Sequence, residues 1–88
     1  MGFGTYIKQK RITNDISLND FARRLDISPA YWSRIEREME KPPKDELIIK
    51  SSQILNENPD DAFIEASRLP PDMQNKVRNI VLMYRKLM

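Results

Sequence analysis

The sequence predicts an all-α fold, a compact domain of five helices with an additional C-terminal helix, and three observations carry that prediction. No run of alternating apolar and polar residues is long enough for a strand. The prolines at 29, 42, 43, 59, 70 and 71 stand where a proline starts one helix or blocks the helix before it, and so divide the chain into helix-sized pieces. Eighty-eight residues suffice for one hydrophobic core and not for two. The expected organisation is therefore a domain over residues 1–69, followed in 70–88 by a helix that is a candidate dimerisation element.

The first helix is expected from Phe3 to Thr13 and carries the bases Lys8, Lys10 and Arg11. Ser17-Leu18-Asn19-Asp20 has the form of a capping box, so a second helix is expected from Leu18 to Leu25. Phe21, Ala22 and Leu25 fall on one buried stripe of it, with small Ala22 where another helix can come close. Asp26-Ile27-Ser28 leaves room only for a sharp turn. Ser28 then serves as an N-cap and Pro29 as a first-turn proline, which opens a third helix to Glu38 with Trp32 and Ile35 inward and Ala30, Ser33, Arg34 and Arg37 outward. Two short helices joined by so tight a turn form a helix-turn-helix. Further helices are expected over Asp45 to Leu55, Asp60 to Ser67 and Asp72 to Leu87. In the last of these Met73, Val77, Ile80, Tyr84 and Leu87 recur at spacings of four and three, a seam that can zip against another helix, with Val81 beside it.

Composition removes several classes of function. The chain has no cysteine and no histidine, which excludes a disulfide framework, a Cys or His zinc site and a Ser-His-Asp triad. Its two glycines, Gly2 and Gly4, form no phosphate-cradling loop. The acids Asp60 and Asp61 follow Asn58-Pro59 at a helix start, where the helix dipole favours them without any metal. No catalysis, cofactor or metal is expected. The longest apolar run, residues 80–84, is far short of the ~20 residues of a membrane span, and a cytoplasmic location is expected. Charge is uneven. Residues 1–37 hold seven bases and four acids, whereas residues 44–71 hold three bases and six acids, a polarity suited to one face meeting an anion.

The stretch Ile16-Ser17-Leu18, Phe21-Ala22, Leu25, Ile27-Ser28 and Tyr31-Trp32-Ser33-Arg34-Ile35-Glu36-Arg37 resembles the lambda repressor and Cro, or XRE, family of helix-turn-helix proteins. Lys10-Arg11-Ile12 is similar to the end of that family's first helix, and the similarity extends over Phe3 to Ala66. It departs from the family at Asp26 and Glu38, where glycine is usual, at Ser51 and Ser52, where apolar residues are usual, and at Leu18, where a polar residue is usual. The resemblance implies a lambda-repressor-like DNA-binding domain whose third helix enters the major groove of double-stranded DNA. Arg34 would read a guanine edge, with Ser33 beside it and Pro29 and Ala30 making apolar base contacts. Lys8, Lys10, Ser17, Asn19, Arg23, Tyr31, Arg37 and Lys41 are candidates for phosphate. The family pairs the arginine matching Arg11 with the glutamate matching Glu36, although Arg11 would otherwise join the phosphate candidates. Implied partners are an inverted-repeat operator and a second copy of the chain. The implied function is transcriptional regulation, with repression favoured. The alternatives are an antitoxin-type autorepressor with a protein partner, and a helical adaptor that has lost DNA binding.

Overall fold

The computed structural model describes residues 2–67 and 85–86. The helix expected over residues 72–87 falls outside the described residues but for 85 and 86, and with it the proposed seam of Met73, Val77, Ile80, Val81, Tyr84 and Leu87. The described chain is helical and without strands: α1 (Phe3–Thr13), α2 (Leu18–Arg24), α3 (Pro29–Glu36), α4 (Asp45–Ile54) and α5 (Pro59–Glu65). Among the described residues no helix is long and apolar enough to cross a membrane.

Local side chains cap the starts of α2, α3 and α5. Ser17 Oγ accepts the amide of Asp20 at 3.1 Å, Ser28 Oγ accepts the amide of Tyr31 at 3.1 Å, and Asn58 Oδ1 accepts that of Asp60 at 3.0 Å. Each satisfies an amide that the first turn leaves without a helical partner. α1 begins at Gly2, which offers no side-chain cap. A carboxylate from far along the chain takes that place, because Thr5 donates its amide at 2.9 Å and its hydroxyl at 3.2 Å to Glu38 Oε1.

The helices stop in a common way. Asp15, Asp26, Glu38, Asn56 and Ser67 follow the five helices, and all adopt left-handed backbone, with φ between 55° and 60°. At the first four, two amides fold back onto the last turn. After α2, Asp26 N–H bonds to Arg23 O and Ile27 N–H to Ala22 O, both at 3.0 Å, the hydrogen-bond pair of a Schellman stop. The same stop corrects the expected end of the third helix. Glu38 lies outside it, since Glu38 N–H returns to Ile35 O at 3.1 Å and Met39 N–H to Arg34 O at 2.8 Å, so the helix ends at Glu36. α2 and α4 each end one residue before the expected leucine, which becomes the C-cap, and α5 runs from Pro59 to Glu65 rather than from Asp60 to Ser67.

Trp32 occupies the centre of the core, fully buried. The Phe3 ring meets it edge-on at 6.3 Å and the Phe21 ring lies tilted at 5.4 Å, with Ile7, Ile35, Ile48, Ala62 and Phe63 completing the interior. Fully burying such a side chain contributes about 1.5–3 kcal/mol, so this cluster is the main source of stability. Ser51 and Ser52 are also fully buried. Their hydroxyls donate to Ile48 O at 2.9 and 3.0 Å, and that bond within the helix is what lets polar residues occupy apolar positions without shifting the register of α4.

Candidate nucleic-acid interface

α1 holds α3 at two places. Near its C-terminal end, Arg11 Nε donates to Glu36 Oε2 at 2.8 Å and Arg11 Nη2 to Glu36 Oε1 at 2.9 Å, a two-pronged ion pair, while Nη1 donates to Ile16 O at 2.9 Å. Arg11 is 8% exposed and Glu36 4%, so the guanidinium is occupied inside the domain and is not offered to an anion. At its N-terminal end α1 comes so close to α3 that a Cβ on Gly4 would stand 2.0 Å from Ile35 O. Gly4 together with the Glu38 cap fixes the exit of α3 against the start of α1.

The turn between α2 and α3 is equally constrained. Asp26 takes the left-handed conformation at φ 59°, which short polar side chains tolerate best after glycine. Half-buried Ile27 packs against the core and plugs the turn. A shallow cleft along this junction is lined by Asn19 and Arg23 from α2 and by Ser28 and Pro29 at the start of α3, which brings three of the sequence candidates together. Asp20 holds both neighbouring arginines, with Arg24 Nη2 at 2.9 Å from its carboxylate and Arg23 closer still. The hydrogen bond from Arg23, reinforced by the charges of Arg24 and Arg23 and opposed by partial desolvation, lowers the Asp20 pKa below its ordinary value. Arg23 thus stands exposed with one carboxylate partner already in place.

On α3, Trp32, Ile35 and Glu36 face inward, and Pro29 and Ala30 are exposed. Ser33 is half-buried and Arg37 exposed, with Arg37 Nε bonded to Ser33 O at 3.4 Å. Arg34 carries its guanidinium 6.0 Å from the Tyr31 ring centre, in cation–π range, and donates Nε–H to Glu40 Oε1 at 3.2 Å. Tyr31 itself is half-buried against the core and lines a second cleft with Leu25, Ile27, Pro43 and Leu47. Lys41 and Lys8 are exposed. Ser17 is engaged as the α2 cap, with Asn19 exposed two residues on.

Lys10 is drawn elsewhere. Its ammonium lies 3.3 Å from Glu57 Oε1 in the α4–α5 turn and 5.9 Å from the Tyr6 ring centre, which ties α1 to the acidic part of the chain. Two functional neighbours escaped the sequence reasoning. Glu38 caps a helix whose amide lies 33 residues away, and Glu40 partners Arg34 across a helix end. Neither had a signal in the local pattern.

A helix-turn-helix family profile matches residues 7–61 of the chain. Two uncharacterized HTH-type transcriptional regulators, from two strains of Mycobacterium tuberculosis, are each 27% identical to it over 79 residues. The match covers 90% of this chain and 56% of each relative, so the chain spans about half the length of the curated relatives it matches. The crystal structure of the clp gene regulator ClgR from Corynebacterium glutamicum is similar with a TM-score of 0.63 at 26% identity, over 74% of this chain and 83% of that one. A second crystal structure of ClgR, at 23% identity and a TM-score of 0.65 over 93% of this chain and 83% of that one, shares the fold. The profile spans the two helices and the turn whose geometry the hydrogen bonds define, and the chain belongs to the helix-turn-helix family, of the lambda repressor and Cro, or XRE, type.

Proposed function

We propose that the chain is the DNA-binding part of a transcriptional regulator that inserts α3 into the major groove and represses by occupying a promoter. One observation carries this: the face of α3 turned away from the core presents exposed Pro29 and Ala30 and then Arg34, on a helix held rigidly by the buried Arg11–Glu36 pair. An arginine at that place can donate two parallel hydrogen bonds to guanine O6 and N7, worth ~1–3 kcal/mol of discrimination. Arg23, Arg37 and Lys41, with the exposed Asn19, are the proposed phosphate contacts. Arg11 is left out of that set because its guanidinium is buried against Glu36, and Lys10 because its ammonium is drawn to Glu57 in the acidic part of the chain, whereas Arg23, although paired with Asp20, remains largely exposed. One α3 reads only a few base pairs, so the functional unit is a two-fold dimer on an inverted repeat. The naming of the mycobacterial relatives as HTH-type transcriptional regulators supports the same reading.

Selection of bound fragments from random DNA by the purified chain tests it, and recovery of an inverted repeat is the expected result. Arg34→Ala should then bring operator binding toward the level of random DNA, because a base contact carries sequence information and a phosphate contact mostly charge. Equal weakening on operator and random duplexes would place Arg34 on the backbone. No enrichment at low salt would favour an adaptor without DNA binding, and co-purification of a second protein would favour an antitoxin.

A further inference from the structure

The Schellman stop after α3 has a chemical outcome beyond ending the helix. Met39 N–H turns back to Arg34 O at 2.8 Å, so the chain reverses over the last turn of α3 and returns Glu40 beside Arg34. The carboxylate takes the Nε hydrogen at 3.2 Å, and both side chains are 42% exposed, so the pair lies at the surface next to the α3 face proposed to meet DNA. The Tyr31 ring lies near the same guanidinium, its centre 6.0 Å from Arg34 Cζ.

We propose that Glu40 is a positioning residue for sequence reading, one that holds the guanidinium of Arg34 by Nε and leaves its two terminal nitrogens to face a guanine together. This rests on the reading of α3 as the major-groove helix. Arginine has five N–H donors in a rigid fork, and with Nε engaged the four on Nη1 and Nη2 remain. Those two nitrogens are the ones that address O6 and N7 end-on. An unrestrained arginine has many rotamers to lose on binding, whereas one held between a carboxylate and an aromatic ring has fewer. The charge acts in the opposite sense. A carboxylate close to the DNA surface is unfavourable to every sequence alike, so Glu40 lowers general affinity while it sharpens discrimination.

Those opposite signs separate this role from a solvated surface ion pair, which would contribute little to either quantity. The test uses the full chain and measures binding by fluorescence anisotropy. The duplexes are the operator recovered by selection, operators with the contacted G·C pair replaced, and random sequence. Glu40→Ala should bind random DNA at least as tightly as the wild type, and its preference for the G·C pair should fall about three- to tenfold, a part of what a bidentate contact supplies. Glu40→Gln removes the charge and keeps an acceptor oxygen. It should match the alanine variant on random DNA and keep most of the preference. Unchanged melting temperatures confirm that the exposed substitutions leave the fold intact. An equal change on operator and random DNA in Glu40→Ala would reduce Glu40 to a simple charge. A larger gain on the operator than on random DNA would mean that Glu40 holds Arg34 back from the base. Arg34→Ala separates the two levels of the argument. If it keeps full discrimination, the reading of α3 through Arg34 fails and the role of Glu40 with it, but if it loses discrimination while Glu40→Ala does not, the role of Glu40 alone fails.

Discussion

Replacing Glu36 by alanine should remove a large part of the stability of the domain. The Arg11 guanidinium is held by three hydrogen bonds, two of them to Glu36, whose side chain is 2% exposed, and the substitution leaves only the one to Ile16 O. Breaking one side of a buried pair costs about 3–5 kcal/mol, because the surviving charge stays desolvated without its partner. Domains are stable by roughly 0.05–0.15 kcal/mol per residue, about 4–13 kcal/mol for a chain of this size, so the loss is a large fraction of the total. At about 4–8 °C per kcal/mol for domains of this length, the melting temperature should fall by about 12 °C or more. Urea denaturation followed by far-UV circular dichroism measures the free energy. A double-mutant cycle with Arg11→Met isolates the coupling, since removing both charges leaves no stranded ion. The double variant should be more stable than Glu36→Ala alone. A loss below about 1 kcal/mol in Glu36→Ala, the size of an ordinary surface ion pair, would refute the idea that this pair fixes α1 to α3.

Gly4→Ala should destabilise the fold despite alanine's advantage of about 1 kcal/mol in a helix, because the new Cβ would stand 2.0 Å from backbone that cannot move aside; thermal melting checks the sign. Ser28→Ala removes the α3 cap and should cost ~1 kcal/mol by the same measurement. Tyr6→Phe should raise the melting temperature, since the buried Tyr6 hydroxyl has no hydrogen-bond partner among the described residues. Burial first, and then the charges of Glu57, Asp61 and Glu65, raise the Tyr6 pKa above its ordinary 10.0. The folded state therefore favours the neutral phenol. That contribution is complete below pH ~10 and is lost as the pH rises from there through the folded value, so the phenylalanine variant should show a flatter alkaline decline in melting temperature.

Helix starts were legible in the sequence because they are written in adjacent residues: Ser17 and Asp20, Ser28 and Pro29, Asn58 and Pro59. The inward placement of Trp32 and Ile35 followed from helical spacing alone. Helix ends were less legible. The sequence extended the third helix to Glu38 because glutamate is a good helix former and carries no stop signal, while the stop is made by the left-handed backbone and its returning amides. The partner of Arg11, 25 residues away, was reached through a family resemblance rather than from any local pattern. Lys10 lies near Lys8 in sequence and reads as a phosphate candidate, but a long side chain answers to whatever acid the fold brings near, here Glu57. Glu38 and Glu40 were invisible for the same reason, since their partners are set by a chain reversal.

The way the helices stop inverts the usual expectation of where this protein tolerates change. Among the described residues, five stand in a conformation for which glycine is best suited, and none of the five is glycine. The strain at such a position is on the order of 1–2 kcal/mol, less where Asn or Asp can bond locally, and glycine would bring its own cost of about 0.5–1 kcal/mol in chain entropy. The two nearly balance, so Asp15, Asp26 and Asn56 can exchange with glycine in either direction with little effect on folding. The immovable glycine is Gly4, inside a helix, where it sets the distance between two backbones.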